Sequence, residues 1–263
     1  METEGRRPLT LYGYHPVLEA LRGEARRVEE LLLERDARGR LAPLVALARQ
    51  AGVRCAQVER GVLTQMAGTP HHQGVVARVA ARAYALLEEL LAVPATRQEP
   101  ALFLALDQIQ DPGNVGNLLR TAEVLGVHGV ILPRHEAAGL TAHAAKAAAG
   151  ALEYLPVARV GNLGRTLDVL KREGCWVIGA SASAPEARPP WELDLRGPVA
   201  VVLGSESRGL RPLVARSCDL LTRIPLAGRV GSLNVAAAGA ALLYEVARQR
   251  ARGGGGESGK KND

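Results

Sequence analysis

The hexapeptide Ala101-Leu-Phe-Leu-Ala-Leu106 is apolar at every position. A strand with one face in water alternates polar and apolar residues, so a strand that does not alternate must be covered on both faces. That is the setting of a central strand in a parallel sheet flanked by helices. Further strands are predicted at 129–132, 175–180, 199–203 and 220–224, with helices at 114–125, 142–149, 163–172 and 234–250. Strands alternating with helical patterns of this length make residues 99–250 an α/β domain.

Ahead of it, residues 1–80 read as a smaller α/β unit. The order is a helix at 12–21, a strand at 28–33, a helix at 41–51 stopped by Gly52, a strand at 53–58, a helical turn at 62–66 and an alternating strand at 73–79. Residues 81–98 read as a linker, with an amphipathic helix at 83–91 before a polar stretch bracketed by Pro94 and Pro100. The glycine-rich stretch at 251–263 reads as a flexible tail.

Composition excludes several classes. No apolar run approaches the roughly 18 residues a membrane helix needs, and the N-terminus lacks the apolar core of a signal peptide, so a cytoplasmic location is expected. Cys55, Cys175 and Cys218 are far apart and odd in number, which argues against a disulfide framework and for small buried side chains. No His, Cys or Asp cluster has metal-ligand spacing, so no metal is expected. No G-x-G-x-x-G follows the first strand and no phosphate-binding P-loop occurs, which removes nicotinamide cofactors and nucleoside triphosphates. The formal charge is +6, and of 33 basic residues only four are lysine. Arginine forks match phosphate geometry, which is compatible with a nucleic-acid partner, although genome composition alone can also enrich arginine.

Three loops that follow strands hold most of the polar, glycine-containing sequence of the second domain. The first, 107–122, enters a helix whose apolar stripe is Val115, Leu118, Leu119, Ala122 and Leu125, leaving Asn117 and Arg120 on another face. An arginine so placed suits a phosphate or another planar anion. The second, 201–210, breaks a hydrophobic strand at Gly204 and continues through Glu206, which is placed to pair with an arginine or hold a loop. The third, 223–246, passes Pro225, Gly228 and Gly231 before Ser232-Leu-Asn234 opens an alanine-rich helix. Either Ser232 or Asn234 is suited to cap it, and Val235, Gly239, Leu242 and Val246 share one face.

Asn114-x-Gly-Asn-x-x-Arg120, Leu203-Gly-Ser-Glu206-x-x-Gly209 and Ile224-Pro-x-x-Gly-x-x-x-Ser232-Leu-Asn234 together resemble the three motifs of the SpoU (TrmH) RNA ribose 2′-O-methyltransferases. Tyr12-Gly-Tyr-His15-Pro-Val and His72-Gln-Gly-Val-Val-Ala77 are similar to the ends of that family's substrate-binding module. The resemblance spans about residues 9–250 and is nearest the branch that methylates a guanosine of large-subunit (23S) ribosomal RNA. It implies a SPOUT-type catalytic domain with a deep trefoil knot, a homodimer through that domain with each site completed across the interface, and S-adenosylmethionine as cofactor. By position, the backbones at Gly204, Ile224 and Leu233 would grip the cofactor, with Leu203, Leu226, Gly228 and Ser232 completing its pocket. Arg120 would take the central role, with Asn114, Glu206, Ser232 and Asn234 around it. The family sometimes treats the arginine as a general base. Guanidinium holds its proton tightly, and clamping phosphate while aligning the 2′-hydroxyl is the less demanding role. His15, Arg22, His72 and Arg120 are the candidate RNA contacts. Transfer RNA as substrate, or a non-catalytic RNA-binding protein on the same fold, are the alternatives.

Overall fold

The computed structural model describes residues 9–23, 27–35, 39–80 and 83–253. The chain forms two units: residues up to Ala83 together with Gly139–Tyr154, and Tyr84–Ala138 together with Leu155 onward.

The first unit runs β1 (Leu9–Tyr12), α1 (Tyr14–Arg22), β2 (Val28–Glu34), α2 (Ala42–Gln50), β3 (Arg54–Val58), α3 (Arg60–Ala67) and β4 (Val75–Val79). Its sheet has the order β1-β4-β2-β3, with β4 antiparallel to both neighbours and β3 parallel to β2. β1 was not anticipated, because four residues are too few to show a period. The alternation expected of β4 is also weaker than its sequence suggests: only Arg78 is exposed, as befits a central strand. Tyr12, Leu32, Leu63 and Val76 form the core beneath α3.

Residues 139–154, assigned from sequence to the second domain, belong to this unit by their contacts. Their helix, α6 (Ala142–Ala148), packs on β1 and α1. Lys146 Nζ donates to the His71 carbonyl at 3.2 Å and lies 4.3 Å from the centre of the Tyr12 ring. Desolvation there lowers its pKa. The Tyr154 hydroxyl donates to Glu19 Oε2 at 2.6 Å, and Arg27 meets Glu153 at 3.0 Å with both side chains largely buried. Apolar periodicity finds α6 but carries no record of its partners.

The second unit comprises α4 (Leu87–Arg97), β5 (Leu102–Leu106), α5 (Pro112–Val124), β6 (Gly129–Pro133), β7 (Val157–Val160), α7 (Leu163–Arg172), β8 (Trp176–Ala180), β9 (Val199–Leu203), α8 (Pro212–Arg216), β10 (Leu220–Thr222) and α9 (Val235–Gly253). Its six strands are all parallel, in the order β10-β8-β9-β5-β6-β7. Every residue of β5, β6 and β9 is buried, as the apolar hexapeptide requires. β7 and α8 were not anticipated. Within the stretch 81–98 the expected helix is present but lies later, at Leu87–Arg97: Leu90 is fully buried, and α4 runs through Pro94 instead of ending before it. Proline costs the helix one hydrogen bond near its end, and the buried Pro94 ring is itself part of the packing. α9 continues to Gly253, so the tail expected at 251–263 is helical at its start, and its remainder lies outside the described residues.

Side chains sort by strand parity. Phe103, Ala105, Val177 and Val202 share a core with Leu163, Leu167 and Leu170 of α7 and Leu90 of α4. Leu203, one residue on, points to the opposite face and meets α9. There a Cβ at Gly239 would stand 2.4 Å from Leu118 Cδ2 and 2.8 Å from Leu203 Cδ1, so the glycine sets how closely α9 approaches α5 and β9.

His128 closes the opposite end of the sheet. Its fully buried ring accepts the Leu102 N–H on Nδ1 at 3.0 Å, lies 3.1 Å from Glu99 through Nε2 and sits edge-on to Phe103. Desolvation, reinforced by Arg97, lowers its pKa below the ordinary 6.5 against the opposing pull of Glu99. His72, buried in the first unit, is shifted the same way, chiefly by desolvation. The unfolded chain therefore binds more protons than the folded one as pH falls below 6.5. Both contributions are fully present above that pH and are lost on acidification toward the folded-state values. The thermal midpoint should be steady above pH 6.5 and fall between pH 6.5 and 5, less steeply in His128→Gln. A midpoint independent of pH across that interval would contradict this.

Candidate active site

The cluster forms where β5, β8, β9 and β10 end, the carboxyl edge at which open parallel sheets place ligands. β5 and β9 are adjacent, and the Asp107 N–H donates to the Leu203 carbonyl at 2.7 Å, so the first and second loops leave the sheet side by side. Asp107 is fully buried. Its Oδ2 accepts the Arg211 backbone N–H at 2.8 Å, its Oδ1 accepts the Nε–H of the same arginine at 2.8 Å, and Nη2 lies 2.6 Å from that Oδ1 as an ion pair. This pair anchors the far end of the second loop to the start of the first. Between these anchors Ser205 and Gly209 exchange backbone hydrogen bonds, N–H to carbonyl, at 3.1 and 2.8 Å, closing a tight hairpin.

Glu206 sits at the tip of that hairpin. Its Oε1 accepts from Asn234 Nδ2 at 2.6 Å, Asn114 Nδ2 at 3.2 Å and the Val235 N–H at 3.3 Å. Asn234 Nδ2 also reaches Asn114 Oδ1 at 3.0 Å. Meanwhile Asn234 Oδ1 accepts the Ala236 and Ala237 N–H groups at 2.9 and 3.4 Å. The sequence suggested that one of Ser232 and Asn234 caps α9 while the other faces the site. Asn234 caps, its amide nitrogen also reaching Glu206 and Asn114, and Ser232 lines the first cavity described below. Asp111 caps α5 by accepting the Asn114 N–H at 2.6 Å, which fixes the third member of the triad.

Two cavities share the hairpin as a wall. The first, about 360 Å³, is lined by the chain ends of β8, β9 and β10 and includes Leu203, Gly204, Ile224, Leu226, Ser232 and Leu233. The second, about 350 Å³, holds Gln108, Asp111, Asn114, Glu136 and Arg208. Ser205, Glu206, Ser207, Arg208 and Val235 border both. Gln108 and Glu136 each adopt left-handed backbone, at φ 59° and 57°, which non-glycine residues seldom do. Arg208 makes no ion pair among the described residues.

Six of the seven residues expected around a cofactor therefore line one cavity. Gly228 does not, and nothing lies within 4 Å of a Cβ built on it. Arg120 lines neither cavity. It is exposed on α5 and makes no ion pair among the described residues. Among the expected RNA contacts, His15 is exposed, edge-on to Tyr14 at 5.4 Å, and Arg22 is exposed but paired with Glu19 at 3.0 Å. His72 is a correction. It is fully buried, with Nδ1 accepting the Gly74 N–H at 3.1 Å and Nε2 3.2 Å from the Thr64 hydroxyl, so it shapes the turn into β4 and is closed to RNA. Asp107, Arg208, Arg211 and Glu136 were not singled out from sequence. An aspartate directly after an all-apolar strand was the available signal for the first of them.

Residues 101–244 match the model of the SpoU rRNA Methylase family, and residues 10–85 match that of the RNA 2′-O ribose methyltransferase substrate-binding domain. The chain belongs to the SpoU family. Among its relatives is the 23S rRNA (guanosine-2′-O-)-methyltransferase RlmB of Ralstonia nicotianae, 41% identical over 91% of this chain and 95% of that protein. The enzyme of the same name from Pseudomonas aeruginosa is 42% identical over 91% of this chain and 96% of its own length. The SpoU methyltransferase AviRb of Streptomyces viridochromogenes, solved with the cofactor AdoMet, is 27% identical and superposes with a TM-score of 0.76 over 93% of this chain and 91% of its own. SpoU membership thus accounts for the order of the three loops. Among the described residues no group of His, Cys, Asp and Glu is arranged to hold a metal ion, and no helix is long and apolar enough to cross a membrane.

Proposed function

We propose that this SpoU protein is an S-adenosylmethionine-dependent methyltransferase acting on the ribose 2′-hydroxyl of a guanosine in 23S ribosomal RNA, in the cytoplasm. The observation that carries the reading is the Asn114–Glu206–Asn234 cluster, whose Glu206 borders two cavities of similar size. A transfer between two bound molecules needs both held close together and aligned.

The first cavity fits the cofactor's chemistry. Leu203, Ile224, Leu226 and Leu233 give an apolar lining around backbone amides and carbonyls, which suits a flat base and its ribose. When bound there, S-adenosylmethionine supplies a methyl group activated by its sulfonium. Leu203, Gly204, Ile224, Leu226, Ser232 and Leu233 hold it in this reading. Glu206 keeps Asn114 and Asn234 fixed by drawing both amides onto one oxygen. Asn114, which lines the second cavity and keeps one amide N–H, then orients the ribose, and Ser232 lines the first cavity beside it. Arg120 clamps the substrate phosphate and aligns the 2′-hydroxyl, with the proton passing to phosphate or water.

Arg120 reaches the reacting atoms in a homodimer that packs through the knotted domain, and a second copy supplies it. Support comes from two exposed stripes. Asn117, Arg120 and Val124 follow one another along α5, and Ala237, Ala241 and Tyr244 along α9, with Val124 at 71% and Tyr244 at 62% exposure. His15 and Arg22 in the first unit are the proposed RNA contacts.

The test is transfer of radiolabelled methyl groups into purified 23S and transfer RNA, with the product mapped for 2′-O-methylguanosine. Label in 23S RNA at one guanosine is expected. Label confined to transfer RNA would reassign the substrate, and none in either RNA would leave a binding protein.

A further inference from the structure

We infer that the second cavity seats the acceptor guanine and that Glu136, backed by Gln108, reads its hydrogen-bonding edge. This rests on the reading of the site just given and names the part of it that selects the base.

The cavity is distinct from the one assigned to the cofactor yet shares its wall, which is where the nucleoside bearing the reacting hydroxyl must lie. Its 350 Å³ falls within the size range of small-molecule sites. Of its three carboxylates, two are engaged by the protein: Asp111 caps α5, and Glu206 holds Asn114, Asn234 and the Val235 N–H. Glu136 is held by a side chain of the same lining rather than by the framework of the site: its Oε2 accepts from Gln108 Nε2.

The pair presents a pattern that can be read against each base. The carboxylate offers acceptors side by side, and the Gln108 amide keeps a second N–H as a donor next to them. Guanine is the complement: N1–H and the exocyclic N2–H₂ are adjacent donors, and O6 beyond them is an acceptor. Adenine would set its N1 lone pair against the carboxylate. Uracil brings one donor flanked by acceptors, and cytosine one terminal donor followed by two acceptors, so neither offers two adjacent donors. A base read in this way must be unstacked and unpaired, the usual state of bases that proteins read in RNA loops.

The experiment uses the full-length protein and two RNAs, identical except for guanosine or inosine at the mapped target. Inosine keeps N1–H and O6 but lacks the 2-amino group. The wild type should prefer guanosine by about tenfold or more in kcat/KM, the range for one hydrogen bond to a charged group. Glu136→Ala should lower kcat/KM on the guanosine RNA about 10- to 100-fold and bring the preference near unity, with S-adenosylmethionine affinity unchanged. Equal losses on both RNAs, or an unchanged preference, would overturn the assignment while leaving the proposed function intact. A wild type that methylates neither RNA would remove that function, and this inference with it.

Discussion

Arg120→Ala should abolish methyl transfer while leaving cofactor affinity within about twofold of the wild type. The separation follows from geometry. Arg120 lies on the exposed face of α5, outside both cavities and without an ion pair among the described residues, so its removal disturbs neither packing nor the cofactor lining. If it meets the substrate as the 2′-oxygen attacks, the loss should reach about 100- to 1000-fold in kcat, the scale seen when one preorganised donor is deleted from a reacting centre. Arg120→Lys should recover only part of this, because an ammonium keeps the charge without the planar fork. Equilibrium dialysis with labelled cofactor, run beside single-turnover transfer, separates the two effects. A large fall in cofactor affinity would show that Arg120 belongs to the first cavity instead. Mixing Arg120→Ala with a variant impaired in the cofactor cavity tests the dimer directly: complementing sites should restore some activity.

Gly204→Ala should abolish cofactor binding. A Cβ at Gly204 would lie 2.1 Å from the Gly209 carbonyl carbon, 2.3 Å from its oxygen and 2.3 Å from Leu210 N. Those atoms are backbone, and the Ser205–Gly209 hairpin is pinned behind them by Asp107 and Arg211, so no side chain can turn aside to make room. The hairpin must open, which moves a wall common to both cavities and detaches Glu206 from Asn114 and Asn234. Cofactor affinity should fall about 100-fold or more by calorimetry, while circular dichroism retains the secondary structure. Gly228→Ala is the control. With nothing within 4 Å of the added methyl and no place in the lining, it should bind cofactor as the wild type does. Equal behaviour of the two variants would contradict the assigned wall.

The contrast between these two glycines marks how far the sequence could be read. Both sit in loops with motif-like spacing, and chain order alone cannot separate a glycine required by a backbone 2.1 Å away from one facing open space. The apolar runs at β5 and β9 and the shared face of Val235, Gly239, Leu242 and Val246 were legible because burial leaves a period. Glu206 was legible as a loop anchor. Its partners were not, since Asn114 and Asn234 are 120 residues apart and meet only when α9 packs on α5. His72 misled because its motif position and its burial point in opposite directions, and burial decides what it can touch.

The path of the chain through residues 139–154 has a practical consequence. Because α6 leaves the second unit's sequence to pack on β1 and α1, one scission near residue 83 would liberate neither unit whole. The leading fragment would lose the partners of Arg27, Tyr12 and Glu19, and the trailing one would carry Lys146, Glu153 and Tyr154 stripped of their mates. Limited proteolysis should accordingly yield pieces that stay associated, and grafting the leading module onto another protein would require bringing this excursion along.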